Sequence, residues 1–237
     1  GYRWSTEVMY TGNIEGNTLN GNLYFRGNGD PYLTPERFWR LLNRISIYGI
    51  HRITGDVLID NSYFEPGKTD YAAFDQQPYR TYNVGPNAVL VGFQATEFHF
   101  DIDDTGTDQA VKITPFPASP RLQIINQVKL VNGRCKAWQK RLSLETRNNA
   151  GMLEVTFTGN YARACNKRTL YRRVSGTRDH YQHFFLPLWS QLGGSVDGKI
   201  TQGIVPADAR KVLEESAVSL AEAVRLVNKF SNNVMTR

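Results

Sequence analysis

Hydrophobic residues recur with helical spacing in three places along the chain and with strand-like spacing through most of the rest. Phe38, Leu41, Leu42 and Ile45 fall at i, i+3, i+4 and i+7, which puts them on one face of a helix. Thr34 is placed to cap that helix, Pro35 suits its first position, Glu36 favours the positive end of its dipole, and Gly49 supplies the stop. Phe184, Phe185, Leu188 and Leu192 form a second stripe ended by Gly193-Gly194, with Pro187 predicted to kink it. A third helix is predicted from Ser219, where Ser219-Leu-Ala-Glu222 is a capping box. Leu220, Val224 and Val227 mark the face expected to be buried, with Phe230 at its end.

The first two helices are each followed by a short apolar strand, Ile53 to Asp60 and Val196 to Ile200. Helix, glycine stop and strand thus recur about 145 residues apart, which predicts two α-β units packed on one sheet. The opening reads as antiparallel strands, Arg3 to Tyr10 and Asn22 to Arg26, with Asn20-Gly21 as the hairpin signal. Between the two α-β units, strand-like runs at 97–102, 111–113, 122–131, 141–144 and 153–158 predict an all-β module inserted into an α/β one.

Length and composition are those of a globular protein, with 237 residues, 41% of them hydrophobic, and no apolar run near the roughly 18 to 20 residues of a membrane-spanning helix. The chain begins Gly1-Tyr-Arg-Trp, with neither an initiator Met nor a charged-then-apolar leader, and reads as a fragment cut from a longer protein. The net charge of +6 is uneven: from Arg121 to Arg178 there are thirteen Lys and Arg against Glu145 and Glu154, +11, which leaves −5 elsewhere. Such a stretch is either a solvated basic face or a surface for a polyanion or carboxylate-rich partner, with Arg172 and Arg173 the pair to replace in a test; no aromatic and basic interleaving suggests nucleic acid. Cys135 and Cys165 lie inside it without zinc spacing. In an oxidising compartment they can form one disulfide, and in a reducing one they remain two buried thiols.

Several patterns that resemble known sites fail on inspection. Gly27-x-Gly29 lacks the third glycine of a dinucleotide loop, since position 32 is Tyr32, and reads as a tight turn. Asp101-Ile-Asp-Asp-Thr-Gly106 begins like a calcium loop but has Lys112 where the bidentate Glu belongs. His180 and His183 lie one turn apart without a third ligand, and read as surface helix residues rather than a metal site. No P-loop, His-Glu-x-x-His or Gly-x-Ser-x-Gly elbow occurs. What remains is Asn228-Lys-Phe-Ser-Asn-Asn233, just after the third helix, where the Ser231 hydroxyl and the Asn233 carboxamide project from one side of a short turn and can flank a reacting amide.

That hexapeptide is one of six stretches in a recognisable order. Tyr2-Arg-Trp with Val8, Gly21-Asn-Leu-Tyr24, Gly27-Asn-Gly-Asp-Pro31, Gly55-Asp-Val-Leu-Ile-Asp60 with Ser62 and Phe64, Tyr82-Asn83 with Pro86, and Asn228 to Asn233 follow one another as in the D-alanyl-D-alanine carboxypeptidase/endopeptidase family of class C penicillin-binding proteins. The chain resembles that family over nearly its whole length, least between Asp101 and Leu170.

The resemblance implies an α+β fold: part of a penicillin-binding catalytic domain plus an inserted α/β domain that itself carries a nested β-rich domain. The implied boundaries are 1–30 for catalytic-domain strands, 31–88 and 166–205 for the two parts of the inserted domain, 89–165 for the nested domain and 206–237 for the return to the catalytic domain. It further implies that Ser231 relays a proton to the leaving amine and that Asn233 holds the substrate amide. Lys229 adds positive charge beside them, and Asp60 faces a substrate ammonium. The nucleophile motif Ser-x-x-Lys and the third motif Lys-Thr-Gly do not occur, Lys68-Thr69 being followed by Asp70, so the chain alone is expected to be inactive. The expected substrates are peptidoglycan stem peptides, with β-lactams as ligands of the parent protein. No metal, organic cofactor or nucleic acid is implied, and loose association with the envelope is. The expected location is the periplasm, whose oxidising milieu favours a Cys135 to Cys165 disulfide. The competing expectation is a non-catalytic module that grips an anionic envelope polymer through its basic domain.

Overall fold

A computed structural model describes residues 1–64, 69–103 and 110–230. In chain order the regular elements are β1 (Arg3–Tyr10), β2 (Asn13–Glu15), β3 (Thr18–Asn20), β4 (Leu23–Gly27), α1 (Pro35–Ile47), β5 (Arg52–Ile53), β6 (Val57–Asp60), β7 (Thr96–Asp103), β8 (Ala110–Phe116), β9 (Leu122–Val131), β10 (Leu142–Asn149), β11 (Met152–Ala162), β12 (Arg168–Arg172), α2 (Thr177–Gln191), β13 (Ser195–Val196), β14 (Ile200–Gln202), β15 (Arg210–Ser219) and α3 (Leu220–Phe230). Among the described residues no helix is long and apolar enough to cross a membrane. The chain divides into two compact units, one made of residues 1–94 with 177–237 and the other of 95–176.

The larger unit is built on two sheets of matching order, β14-β6-β4-β1-β15 and β13-β5-β3-β2. Four chain segments run from one sheet into the other, and each crosses at a glycine: Gly12, Gly21, Gly55 and Gly198. Packing there is so close that a Cβ on Gly21 would lie 1.9 Å from the Thr11 carbonyl oxygen, and one on Gly198 would lie 2.2 Å from that of Gly55. Side chains replace ladder bonds lost at the corner. Asn22 Oδ1 accepts from Asp56 N at 2.7 Å, and Asp56 Oδ1 accepts from Lys199 N at 2.7 Å. The expected hairpin at Asn20-Gly21 is corrected accordingly: β2 and β3 turn at Gly16-Asn17, and Asn20-Gly21 is part of the corner.

The expected pair of α-β units is present on these sheets. Ile200 pairs in parallel with Val57, and Ser195 with Arg52, so the strand following each helix lies beside its counterpart. Helix α1 starts as its sequence dictates, with Thr34 as the cap accepting from Arg37 N at 3.4 Å and Pro35 at the first position. It buries Phe38, Leu41, Leu42 and Ile45 in a core shared with Phe25, Val57 and the Phe184, Phe185 and Trp189 face of α2.

His180 and His183 are not surface residues, contrary to expectation: both are buried in α2. His180 Nε2 lies 2.8 Å from the Val91 carbonyl oxygen and its ring packs on Phe184, so one turn of α2 is covered by the chain at 91–94. Burial drives the imidazole down to about 4, against the Val91 hydrogen bond and with help from nearby His183.

The smaller unit is all β, as expected for this stretch. Two three-stranded sheets, β10-β11-β9 and β12-β7-β8, enclose Phe98, Phe100, Val155, Phe157, Tyr161 and Leu170. The unit extends past β11 to include β12, which pairs antiparallel with β7, Leu170 against Phe98. Of the calcium-like stretch, Asp101 to Asp103 belong to β7 and the next residues lie outside those described. Cys135 and Cys165 are joined in a disulfide with their Cα atoms 4.7 Å apart.

Two outcomes follow. Gly21→Ala forces a Cβ into backbone at the corner and is expected to cost about 2 kcal/mol or more, whereas Gly176→Ala, which meets nothing within 4 Å, should stay within about 0.5 kcal/mol; equal denaturant midpoints for the two would contradict the corner's role. The unfolded chain protonates His180 near the ordinary His value of about 6.5 while the folded one resists until about 4, so stability is full above that window and falls as pH drops through it. In His180→Gln, which keeps a donor for the Val91 carbonyl, urea midpoints measured from pH 7 to 4 should vary less than in the parent.

Candidate functional site

Strand β15 runs directly into α3, and Ser219, the last strand residue, accepts from Glu222 N at 3.3 Å as the predicted cap. Helix α3 ends at Phe230, so its last described residue immediately precedes Ser231. Ser231 and Asn233 lie outside the described residues. The structure does show what holds the element that leads to them.

One face of β15 carries Glu215, a carboxylate only 7% exposed. Three arginines of α1, spaced at i, i+3 and i+7, converge on it. Arg44 Nη1 lies 2.6 Å from Oε2, Arg37 Nη2 lies 3.9 Å from Oε1, and Arg40 donates to Oε1. Two of these arginines also reach the β15 backbone, Arg37 to the Ser216 carbonyl at 3.1 Å and Arg44 to the Glu214 carbonyl at 3.2 Å. Arg37 is oriented from behind by Asp30, 2.8 Å away, and by the Tyr32 carbonyl at 2.6 Å. Burial raises the Asp30 carboxyl, with Arg37 pulling the other way.

The Gly27-Asn-Gly-Asp30 turn thus supplies the carboxylate that aims Arg37. Its glycines are required by close approach, since a Cβ on Gly27 would meet the Ala88 carbonyl oxygen at 2.0 Å.

The other face of β15 is tied by a charge ladder across the sheet. Lys211 contacts Glu7 at 2.6 Å and Glu214 at 2.9 Å, and Glu7 also contacts Arg26 at 2.7 Å. Burial works to raise the Glu7 carboxyl, but hydrogen bonds from Lys211 and Arg26 prevail and lower it. At the strand's end Arg3 Nη1 donates to the Ala217 carbonyl at 2.9 Å, and Leu220 N donates to Tyr2 O at 3.0 Å.

The buried face of α3 differs from the expected one. Ala223 is the buried position, Val227 is half-buried, and Leu220 and Val224 are 47% and 50% exposed. Among the described residues no element covers that outer stripe. Lys229 sits exposed in the last turn.

Asp60, at the end of β6, is buried, and both of its oxygens accept backbone N–H groups, Oδ1 from Ser62 and Oδ2 from Val205, each at 2.9 Å. Burial would raise it, yet these bonds, with the Ser62 hydroxyl and Arg26, hold it below the usual carboxylate value. In this geometry the carboxylate fastens the chain after β14 to the end of β6. Among the described residues no group of His, Cys, Asp and Glu could hold a metal ion.

The Glu215 cluster was missed in the sequence. Its visible trace is Arg37, Arg40 and Arg44 on one flank of the α1 apolar stripe, but their partner lies more than 170 residues away.

Comparison with known proteins adds to this geometry. The sequence model described as the D-Ala-D-Ala carboxypeptidase 3 (S13) family matches residues 1–237. The D-alanyl-D-alanine carboxypeptidase DacB of Haemophilus influenzae is 24% identical over 233 residues, 98% of this chain and 47% of that protein. A D-alanyl-D-alanine carboxypeptidase of Actinomadura sp. is 25% identical over 222 residues, 90% of this chain and 40% of that protein. The chain therefore spans less than half the length of these curated relatives.

The crystal structure of penicillin binding protein 4 (dacB) from H. influenzae matches with a TM-score of 0.74 at 21% identity, over 99% of this chain and 50% of that one. The same protein complexed with a novel beta-lactam gives 0.65 at 19% identity, over 99% and 48%. At these identities the likeness is one of fold, and it agrees with the α+β class that the resemblance implied.

Glu215→Ala leaves three guanidinium groups without their shared carboxylate. The expected cost is about 2 kcal/mol, below that of a fully buried pair because Arg40 and Arg44 are 58% and 42% exposed. Amide exchange by mass spectrometry should show faster exchange concentrated in 210–230; uniform change, or none, would contradict the role given to Glu215.

Proposed function

The chain belongs to the D-Ala-D-Ala carboxypeptidase 3 (S13) family, and on that premise we propose that it is the middle of a periplasmic penicillin-binding enzyme that trims or cleaves peptidoglycan stem peptides through a serine acyl-enzyme. The observation that carries this reading is a family match over all 237 residues in which Ser231-x-Asn233 directly follows α3. In this proposal Ser231 relays a proton towards the leaving amine, the Asn233 carboxamide holds the substrate amide, and Lys229 adds positive charge near them. Residues 1–30 and 206–237 belong to the catalytic domain, and the segments between them are the inserted and nested domains.

Acyl transfer from a D-Ala-D-Ala end needs a hydroxyl made nucleophilic by an adjacent base, and donors for the oxyanion. A Ser and an Asn alone can position and shuttle but have no activated nucleophile between them. The 237 residues contain neither Ser-x-x-Lys nor Lys-Thr-Gly. In this reading the clamp on β15 serves catalysis by fixing the helix that Ser231 and Asn233 follow in the sequence, because a displacement of about 1 Å in a positioning group can cost about 10²-fold in rate.

Incubation with a fluorescent penicillin separates the readings. The longer protein should be labelled covalently and this chain should not, and Ser231→Ala in the longer protein should slow labelling by about 10²-fold, as expected for loss of a proton-transfer group. A longer protein that takes up no covalent label would overturn the proposal.

A further inference from the structure

The basic stretch is not spread evenly over the β-rich unit. Strands β9 and β11 run in parallel, pairing Lys129 with Asn160 and Leu130 with Tyr161, and β10 enters beside them with Leu142 against Gly159. The ends of all three strands therefore meet at one end of their sheet. Over that end passes the connection from β9 to β10, which carries Arg134, Lys136, Lys140 and Arg141, all exposed.

Two anchors fix this connection. Cys135 is disulfide-bonded to Cys165, beyond the end of β11. Trp138 packs on Phe100 and Tyr161, with centroids 5.6 and 5.8 Å away. Next to the anchors, Lys167, just before β12, and Arg168, its first residue, line an open depression of about 490 Å³ with His99, Phe100, Asp101 and Thr169.

The acidic residues of the same sheet lie apart from this end. Glu154 pairs with Arg147 near the tip of the β10–β11 hairpin, and Glu145 pairs with Thr156. At the basic end, Asp101 contacts Lys167 at 3.3 Å. Arg172 and Arg173, the pair singled out in the sequence, are not part of this surface: Arg172 pairs with Thr96 at the far end of β12, and Arg173 is buried and donates to the Ser175 carbonyl.

Like charges held within a Debye length repel one another, and side chains left to themselves would separate. Here a covalent bond and an aromatic anchor hold the cation-bearing connection over an end already marked by Lys129, Lys167 and Arg168. Such an arrangement suits a ligand that brings closely spaced negative charge. We infer that this disulfide-pinned basic end of the 95–176 unit is a docking surface for polymeric peptidoglycan, which it engages through the carboxylates of the stem peptides. The choice of polymer rests on the proposed enzymatic reading; the surface itself rests on the geometry. The contact keeps the enzyme on an insoluble substrate between catalytic events. It is exposed and ionic, so it is weak per pair and strongly salt-dependent.

The test is co-sedimentation of the longer protein with purified peptidoglycan. Binding at 50 mM NaCl is expected to weaken about tenfold at 300 mM. Arg134→Ser/Lys136→Ser/Lys140→Ser should bind at 50 mM no better than the parent does at 300 mM, while Arg134→Lys/Lys136→Arg/Lys140→Arg retains binding. Peptidoglycan with its carboxylates amidated should lose the parent protein. Unchanged binding by the Ser variant, or by amidated wall, overturns the inference, as does a protein that prefers soluble polyphosphate to wall. Penicillin labelling of the Ser variant should equal that of the parent. Wall binding lost without loss of labelling upholds this surface, whereas absent labelling in both proteins tells against the enzymatic reading alone.

Discussion

The buried carboxylate of Glu215 is the interaction on which the larger unit depends. It accepts from Arg40 and Arg44, with Arg37 close by, and Arg37 is in turn oriented by Asp30. A carboxylate of this burial with no partners would cost several kcal/mol in desolvation, so the arginines and Glu215 must be arranged together. The consequence is mechanical. A chain of contacts runs from the Gly27–Asp30 turn through α1 to β15, and β15 continues without a break into α3. The start of α3 is thereby tied to a helix early in the chain.

The glycine corner supplies the second constraint. Where four segments cross between two sheets there is no room for a Cβ, and the Asn22 and Asp56 side chains complete the hydrogen bonding that the bent strands cannot make for themselves. This gives a physical meaning to two of the stretches by which the family is recognised, Gly21-Asn-Leu-Tyr24 and Gly55-Asp-Val-Leu-Ile-Asp60. They record a place where backbones touch, and the final residue of the second, Asp60, fastens the other end of β6 to the chain at Val205.

Local features were legible in the sequence and long-range partnerships were not. The start and buried face of α1 followed from Thr34, Pro35 and the spacing of Phe38 to Ile45, because each depends on neighbours within a few residues. Strands 122–131 and the β-rich nature of the middle unit followed from alternation and turn residues. The Asn20-Gly21 signal misled because a dipeptide that suits a hairpin also suits a crowded corner. His180 looked like a surface residue because polarity suggests exposure, yet the Val91 carbonyl offers its ring a buried partner. On α3 the apolar stripe was read as buried, while Leu220 and Val224 are covered by no described element. The convergence on Glu215 left only a row of arginines on one flank of α1, with nothing nearby in the sequence to name their partner. Of the candidate site, the pattern Ser231-x-Asn233 could be read from the sequence, whereas the contacts that hold α3 just before it join residues far apart in the chain.

We propose that in the longer protein the Glu215 clamp serves acyl transfer by holding α3, the helix that Asn233 follows in the sequence. A double-mutant cycle on penicillin acylation in the longer protein, with Glu215→Ala and Asn233→Ala, tests it directly. Removing Glu215 is expected to slow acylation several-fold when Asn233 is present and to have little further effect once Asn233 is gone. Two effects that simply multiply would contradict it, because Glu215 would then act on acylation by a route that does not pass through the motif.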